Sequence, residues 1–395
     1  MSENFEHTDL MDPATHSVDP WPFYDWLLEE RPLYFDEENQ LWAVSRYDDV
    51  MGVARDWETF TSEEGNLPQM PPDSSLLHMN GPAHGKRRGL LSKGFTPRQV
   101  STLEDKAVAI SRELIDAVAA AGECDVVQHL AKMLPMQIIA EMIGYPREDY
   151  DRVLRWIDLF MVGGNGPKAL AADPSITATF GDFATYHAKL VEERRENPGT
   201  DLLSMWIEAE IDGEKLRDDQ IFFDHAVILA GGSETTRHAI SDGVYELIRH
   251  PDQRQYLVDH PDALPAAVDE IIRYSSPFVR MCRTARRDVE LHGQTIKEGQ
   301  EILMLYPAAC RDPRAYEDPH RFDVRRKSDK HIIAFGYGQH FCLGSNLAKV
   351  EARVMIGEII RRLPNMRVAP GKQIGRSTSS FVRGLETLPV VFDRS

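Results

Sequence analysis

The residues best suited to chemistry lie in Phe335-Gly336-Tyr337-Gly338-Gln339-His340-Phe341-Cys342-Leu343-Gly344. Gly336 and Gly338 permit positive φ, so the backbone can turn tightly and press flat against a bulky ligand. Such a turn aims successive N–H groups at one sulfur, and a helix starting just beyond Cys342 adds a favourable dipole. An anionic Cys342 sulfur held this way is a soft ligand for iron. A glycine-rich turn before a helix can also cradle a phosphate. The turn has no lysine, however, and Phe335 and Phe341 stand where a phosphate would need donors.

Three further groupings carry chemistry. Ile228-Leu229-Ala230-Gly231-Gly232-Ser233-Glu234-Thr235-Thr236-Arg237-His238 reads as the middle of a long helix. Paired glycines there cost about 1 kcal/mol each against alanine, which close approach of a flat ligand would offset. The Thr235 hydroxyl can take the Gly231 carbonyl four residues back and open the helix. With Glu234 beside it, this acid and alcohol suit proton delivery; a plain kink with a solvated glutamate is the alternative. His84 and Arg88, four apart, share a helix face and can reach a carboxylate. Glu270 and Arg273 form an i, i+3 ion pair, which on a surface is worth only tenths of a kcal/mol.

Taken together, these strings resemble the cytochrome P-450 family, the haem-thiolate monooxygenases, in the family's order and over nearly the whole chain. The resemblance implies a mainly α fold with small β-sheets, one domain over residues 1–395. It implies haem b with Cys342 as axial ligand and Phe335, Gly336 and Gly344 in the loop around it. His84, Arg88, Arg283 and His340 would converge on the two haem propionates. Glu234 and Thr235 would serve oxygen activation. Glu270 and Arg273 would form a buried structural cluster completed by Arg321. Val227, Gly231, Phe278, Val279, Phe381 and Val382 would face the substrate pocket. The reaction implied is insertion of one atom of dioxygen, a co-substrate, into an unactivated C–H bond.

Several elements must position these groups. A helix start is expected at Asp19-Pro20-Trp21-Pro22, a hairpin from Leu33-Tyr34-Phe35 and Leu41-Trp42-Ala43-Val44, and another helix from Arg46. Residues 63–80 have no period, and a loop this long is functional or disordered. Val100 to about Arg195 is helical, with a break at 161–180. Asp218-Asp219-Gln220 can cap the long helix running to about Arg249. A helix follows over 261–276, then a strand through Arg280-Met281-Cys282-Arg283, short strands near 289–292 and 301–304, and a helix over 347–362.

With 395 residues, 42% hydrophobic and 27% charged, the chain has the composition of a globular enzyme. A net charge of −18 argues against non-specific nucleic-acid binding. No apolar run reaches the ~20 residues of a membrane helix, and the polar, acidic N-terminus has no signal pattern, so a cytoplasmic protein without a membrane anchor is expected, as a monomer. Cys124, Cys282, Cys310 and Cys342 show no zinc spacing. Lys86, Arg87, Lys93, Arg98, Lys349 and Arg353 are expected to form a basic patch near the thiolate, suited to an acidic partner. The resemblance implies that this partner is a ferredoxin, served by its reductase. The substrate is expected to be hydrophobic. GGSETTRH and Phe381-Val382-Arg383-Gly384-Leu385-Glu386 resemble members that act on sterol side chains. Terpenes, fatty acids and macrolides stay open as substrates, as do a haem-thiolate peroxygenase and a haem-based sensor or ligand-binding protein as other classes.

Overall fold

Amphipathic stretches recur through most of the chain, and in the computed structural model, which describes residues 5–17 and 19–394, helices accordingly dominate. The longest is the central helix, Asp218–Arg249. Asp218 and Asp219 in its first turn and Arg249 in its last complement the helix dipole. Gln220 Oε1 accepts the Arg217 N–H at 3.0 Å, so the expected polar run does close the helix start. The helix packs against Met133–Ile143, Tyr150–Gly163, Leu264–Ser275 and the cysteine helix, Ser345–Arg362. One apolar core joins its C-terminal half to the helices Pro97–Ala119, Leu264–Ser275 and Ser345–Arg362. A second core lies under the helices Tyr150–Gly163 and Ser175–Glu196.

The main sheet has the strand order Leu33–Asp36, Leu41–Val44, Glu301–Leu305, Arg280–Ala285, Phe60–Thr61. The expected hairpin forms, with Leu33 opposite Val44. Leu41–Val44 and Glu301–Leu305 are parallel, an arrangement local turn signals do not disclose. A three-stranded sheet joins Arg367–Val368, Pro389–Val391 and Glu123–Asp125. The aperiodic stretch 63–80 is folded, with a 3₁₀ turn at Leu76–His78. The break at 161–180 is a helix end, the short helix Pro167–Ala172 and the start of Ser175–Glu196.

The buried Glu270–Arg273 pair forms as expected, with Nε–Oε2 at 2.6 Å and Nη2–Oε1 at 2.8 Å. Its third member is Arg326, whose Nε lies 3.1 Å from Glu270 Oε2. Arg321 is not that member. It is exposed and pairs with Asp323 at 2.8 Å. The loop geometry explains the exchange. Asp318 takes φ +46° in the turn, and the Asp323 N–H anchors the loop on Glu270 Oε1 at 3.1 Å. Arg326 is thereby drawn inward, where its Nη groups take the carbonyls of Glu317, Asp318 and Arg321.

Candidate active site

The thiolate loop is shaped by two left-handed glycines, Gly336 at φ +71° and Gly338 at φ +70°. A Cβ on Gly338 would lie 2.8 Å from the Ala54 carbonyl oxygen, so the loop is pressed onto the helix Tyr47–Arg55. The Cys342 N–H closes the turn on Phe335 O at 2.9 Å. Burial pushes the Cys342 thiol up, while the Gly344 N–H and the Arg88 charge work in the opposite direction and favour the thiolate. Arg88 also donates to the Phe341 carbonyl, fixing the residue before the sulfur.

Above the loop lies a cavity whose wall includes Phe335, Gly336, Cys342 and Gly344 on one side and Val227, Gly231 and Thr235 of the central helix on the other. The paired glycines divide their work. Gly231 has open space where a Cβ would stand, whereas a Cβ on Gly232 would meet Ile139 Cδ1 at 2.9 Å. One glycine therefore leaves room in the cavity, and the other lets Met133–Ile143 pack closely. The Thr235 hydroxyl donates to Gly231 O at 3.3 Å, the expected back-bond.

His84, Arg88, Arg283 and His340 converge at one edge. The two histidine rings lie 4.4 Å apart. Burial, reinforced by the neighbouring arginines, pushes His84 down to about 4 and His340 down to about 2. Among the described residues none of the four pairs with a carboxylate, and His84 Nε2 is buried without a hydrogen-bond partner. A cluster of donors that depress one another's protonation calls for anionic ligand groups. A broad apolar cavity with a cysteine sulfur in its wall and such an edge fits a thiolate-ligated haem and its two propionates.

The comparisons agree with this geometry. The Cytochrome P450 family pattern matches residues 176–386. The chain is 37% identical over 372 residues to a steroid C26-monooxygenase of Mycolicibacterium smegmatis, covering 94% of this chain and 92% of that one. A steroid C26-monooxygenase of Mycobacterium tuberculosis is likewise 37% identical, with 94% and 93% covered. This chain belongs to the cytochrome P450 family. Among solved structures, CYP109E1 from Bacillus megaterium in complex with testosterone superposes with a TM-score of 0.88 at 32% identity, covering 95% of this chain and 98% of that one. Mycobacterium marinum CYP268A2 in complex with pseudoionone gives 0.88 at 32% identity, with 97% and 98% covered. The P450 is thus a helix-rich monooxygenase, and the family implies a haem with a cysteine thiolate ligand. Among the described residues no helix is long and apolar enough to cross a membrane.

Not every expected residue sits where the P450 resemblance put it. Phe278 lines the cavity, but Val279, Phe381 and Val382 are not on its wall. They form a buried layer behind Phe278: the Phe381 ring stacks edge-on to it at 4.9 Å, and the Val279 N–H bonds to Phe381 O at 2.9 Å. Phe381 is held in that layer by Gly164, so close that a Cβ there would overlap the ring. Asn165 secures the same junction, its Oδ1 accepting from Ser379 Oγ at 2.6 Å and the Ser380 N–H at 2.9 Å. Glu234 is buried off the cavity, paired with Arg237 and, at 3.2 Å, with His238; Arg237 also reaches Glu386 at 3.0 Å. Burial pushes its carboxyl up, but the His238 hydrogen bond and the charges of His238 and Arg237 outweigh it and hold it low.

Arg87 is not part of a surface patch. It is buried, 2.8 Å from Asp224 through Nε, and donates to Ser74 O at 2.8 Å and Gln220 O at 2.9 Å. Its position three residues after His84 places it on the inner face of Gly81–Leu91. Asp224 Oδ1 in turn accepts the Leu76 N–H at 2.7 Å, so this pair ties residues 74–76 over the cavity. Of the other patch residues, Lys86, Lys349 and Arg353 are paired with Asp212, Asp269 and Glu104. Lys93 and Arg98 are exposed.

Glu351 is a residue that motif reading missed. It lines the cavity from the cysteine helix, fully buried. Burial drives its carboxyl well above the usual range, opposed only by the Thr236 hydroxyl. The signal was present: Leu347, Glu351 and Met355 recur at i, i+4, i+8 on the apolar face of Ser345–Arg362.

Proposed function

We propose that this P450 hydroxylates an unactivated C–H bond of a hydrophobic molecule, a steroid or sterol side chain being the class favoured, with electrons from a ferredoxin and its reductase. The observation that carries the reading is the opposition across one apolar cavity of the Cys342 loop and the central helix at Gly231 and Thr235, where the helix runs unbroken and the absent Gly231 side chain leaves the room. Haem b, when bound, supplies dioxygen activation at the iron. His84, Arg88, Arg283 and His340 hold its propionates in this reading, and the Gly344 N–H and Arg88 favour the anionic form of the Cys342 sulfur against its burial. Thr235 presents a hydroxyl at the cavity wall and positions a proton there. Glu234 acts from behind, setting the field and orientation of Arg237 and His238. Phe278 and Val227 exclude water from the distal side. Residues 1–395 act in this reading as one catalytic domain in the cytoplasm, as a monomer. Steroid C26-monooxygenases among the relatives and a neighbour that holds testosterone support the substrate class.

The test is a spectral titration of the haem-loaded ferric protein with testosterone, a monoterpene, a fatty acid and a macrolide, followed by turnover with ferredoxin and reductase. A saturable shift to high spin with the steroid, and a hydroxylated product dependent on the ferredoxin, are expected. A shift with another ligand alone reassigns the substrate. Shifts without turnover under intact electron supply favour a ligand-binding protein instead.

A further inference from the structure

Away from the Cys342 loop and the basic cluster at its edge, the cavity wall carries the polar side chains of Thr236, Tyr306 and Glu351 and three more: Thr235, Asp224 and Asn66. Two of these three are committed within the protein. Thr235 donates to the Gly231 carbonyl, and Asp224 accepts from Leu76 N–H and from Arg87. Asn66 is not. Its Oδ1 accepts from His78 Nε2 at 2.8 Å, and the other nitrogen of that ring, Nδ1, lies 2.8 Å from Asp73 Oδ1. Its backbone is fixed as well, because the Asn66 carbonyl accepts the Cys282 N–H of the main sheet at 2.9 Å. The side-chain Nδ2 has no protein partner among the described residues, although Asn66 is just 6% exposed.

An amide N–H with a fixed orientation and no protein acceptor, on a largely apolar wall, is free to take an acceptor from a ligand, which then gains a hydrogen bond in a dry setting. A site built in this way discriminates against analogues without the matching oxygen more strongly than an apolar wall discriminates by size. We propose that Asn66 is a specificity residue whose Nδ2 donates to a ketone or hydroxyl oxygen of the hydrophobic substrate, with His78 and Asp73 as positioning residues. The inference rests on the hydroxylase reading above and narrows its substrate class to hydrophobic molecules bearing an acceptor oxygen.

The test is a ligand cycle on the haem-loaded enzyme, read by the spin shift. The ligands are testosterone with its 3-deoxy and 17-deoxy analogues, and pseudoionone with the hydrocarbon lacking its ketone oxygen. The proteins are wild type, Asn66→Ala, and Asn66→Asp, which keeps the size and the His78 contact while removing the donor. On a scaffold that binds, loss of one oxygen is expected to weaken binding roughly tenfold in wild type and less than about twofold in either variant. Haem content is expected to be the same in all three proteins. Equal losses in wild type and variants overturn the assignment, as does a fall in haem content in both variants, which would place the amide on the cofactor's edge. If no scaffold shifts the spin state of wild type, the hydrophobic-hydroxylase reading fails, and this inference with it.

Discussion

Replacing the arginines around Glu270 one at a time separates a buried charge lock from a surface pair. Glu270 and Arg273 are 3% and 2% exposed, and the Arg326 side chain is 13% exposed, whereas that of Arg321 is 61% exposed. Arg273→Ala removes both short contacts to Glu270 and the bonds to Cys310 O and Pro319 O. Breaking a buried pair of this kind costs about 3–5 kcal/mol, a large share of the ~5–15 kcal/mol that stabilises a typical domain. Arg326→Ala leaves Glu270 its bidentate partner but removes a second charge beside it, together with three bonds to exposed loop carbonyls that water can replace, which places the loss at about 1–3 kcal/mol. Arg321→Ala removes an exposed pair, worth about 0–1 kcal/mol. Urea unfolding of the haem-loaded protein, followed by both the Soret band and far-UV dichroism, ranks the three. The order Arg273→Ala, Arg326→Ala, Arg321→Ala is expected, with haem released before global unfolding in the first two. An Arg321→Ala loss equal to that of Arg326→Ala would falsify the arrangement.

Four other outcomes follow. Thr235→Ala keeps the substrate-induced spin shift but diverts electrons to peroxide, so product per reduced nucleotide falls; unchanged coupling removes Thr235 from proton delivery. Glu351 has a carboxyl raised in the folded state, so wild-type stability falls as pH climbs from the ordinary carboxylate range towards the folded value. Glu351→Gln abolishes that slope, and its stability relative to wild type therefore rises with pH in parallel melts; a constant difference shows the acid is not buried as described. Gly338→Ala combines φ +70° with a 2.8 Å approach to Ala54 O and should cost about 2 kcal/mol or more, seen as a lowered melting temperature with weaker haem retention. The amide of Ser380, bonded to a neutral Asn165, should exchange hydrogen faster than that of Leu76, bonded to an Asp224 paired with Arg87; equal rates show the two ties open together.

The sequence disclosed most where local geometry and chemistry coincide. The left-handed glycines, the cysteine and the Thr235 back-bond are short-range features, and each lies where its spacing requires. His84, Arg88, Arg283 and His340, which meet at one edge of the cavity, are far apart in the chain, and only the family resemblance brought them together in advance. Errors arose where an irregular loop decides which of several like residues turns inward. Arg321, Arg325 and Arg326 are equivalent as text, and the anchor from Asp323 to Glu270 selects among them. Val279 and Phe381 have the apolar character of pocket residues, but apolar residues line a cavity and its second layer alike, and the pressure of Gly164 settles the matter. Arg87 and Glu351 were missed because charge suggests a surface; both lie on helix faces whose other members are buried.

The two ties that fasten the segments around the cavity differ in kind. On one flank a carboxylate and a guanidinium, both withdrawn from water, clasp residues 74–76. On the other, one neutral amide oxygen gathers donors from Ser379 and Ser380. Parting the first strands a buried charge, at several kcal/mol; parting the second gives up hydrogen bonds of about 1 kcal/mol each, which water can replace. Of the two, the tie at Asn165 is therefore the one that opens at the lower cost, and the tie at Asp224 the one that holds.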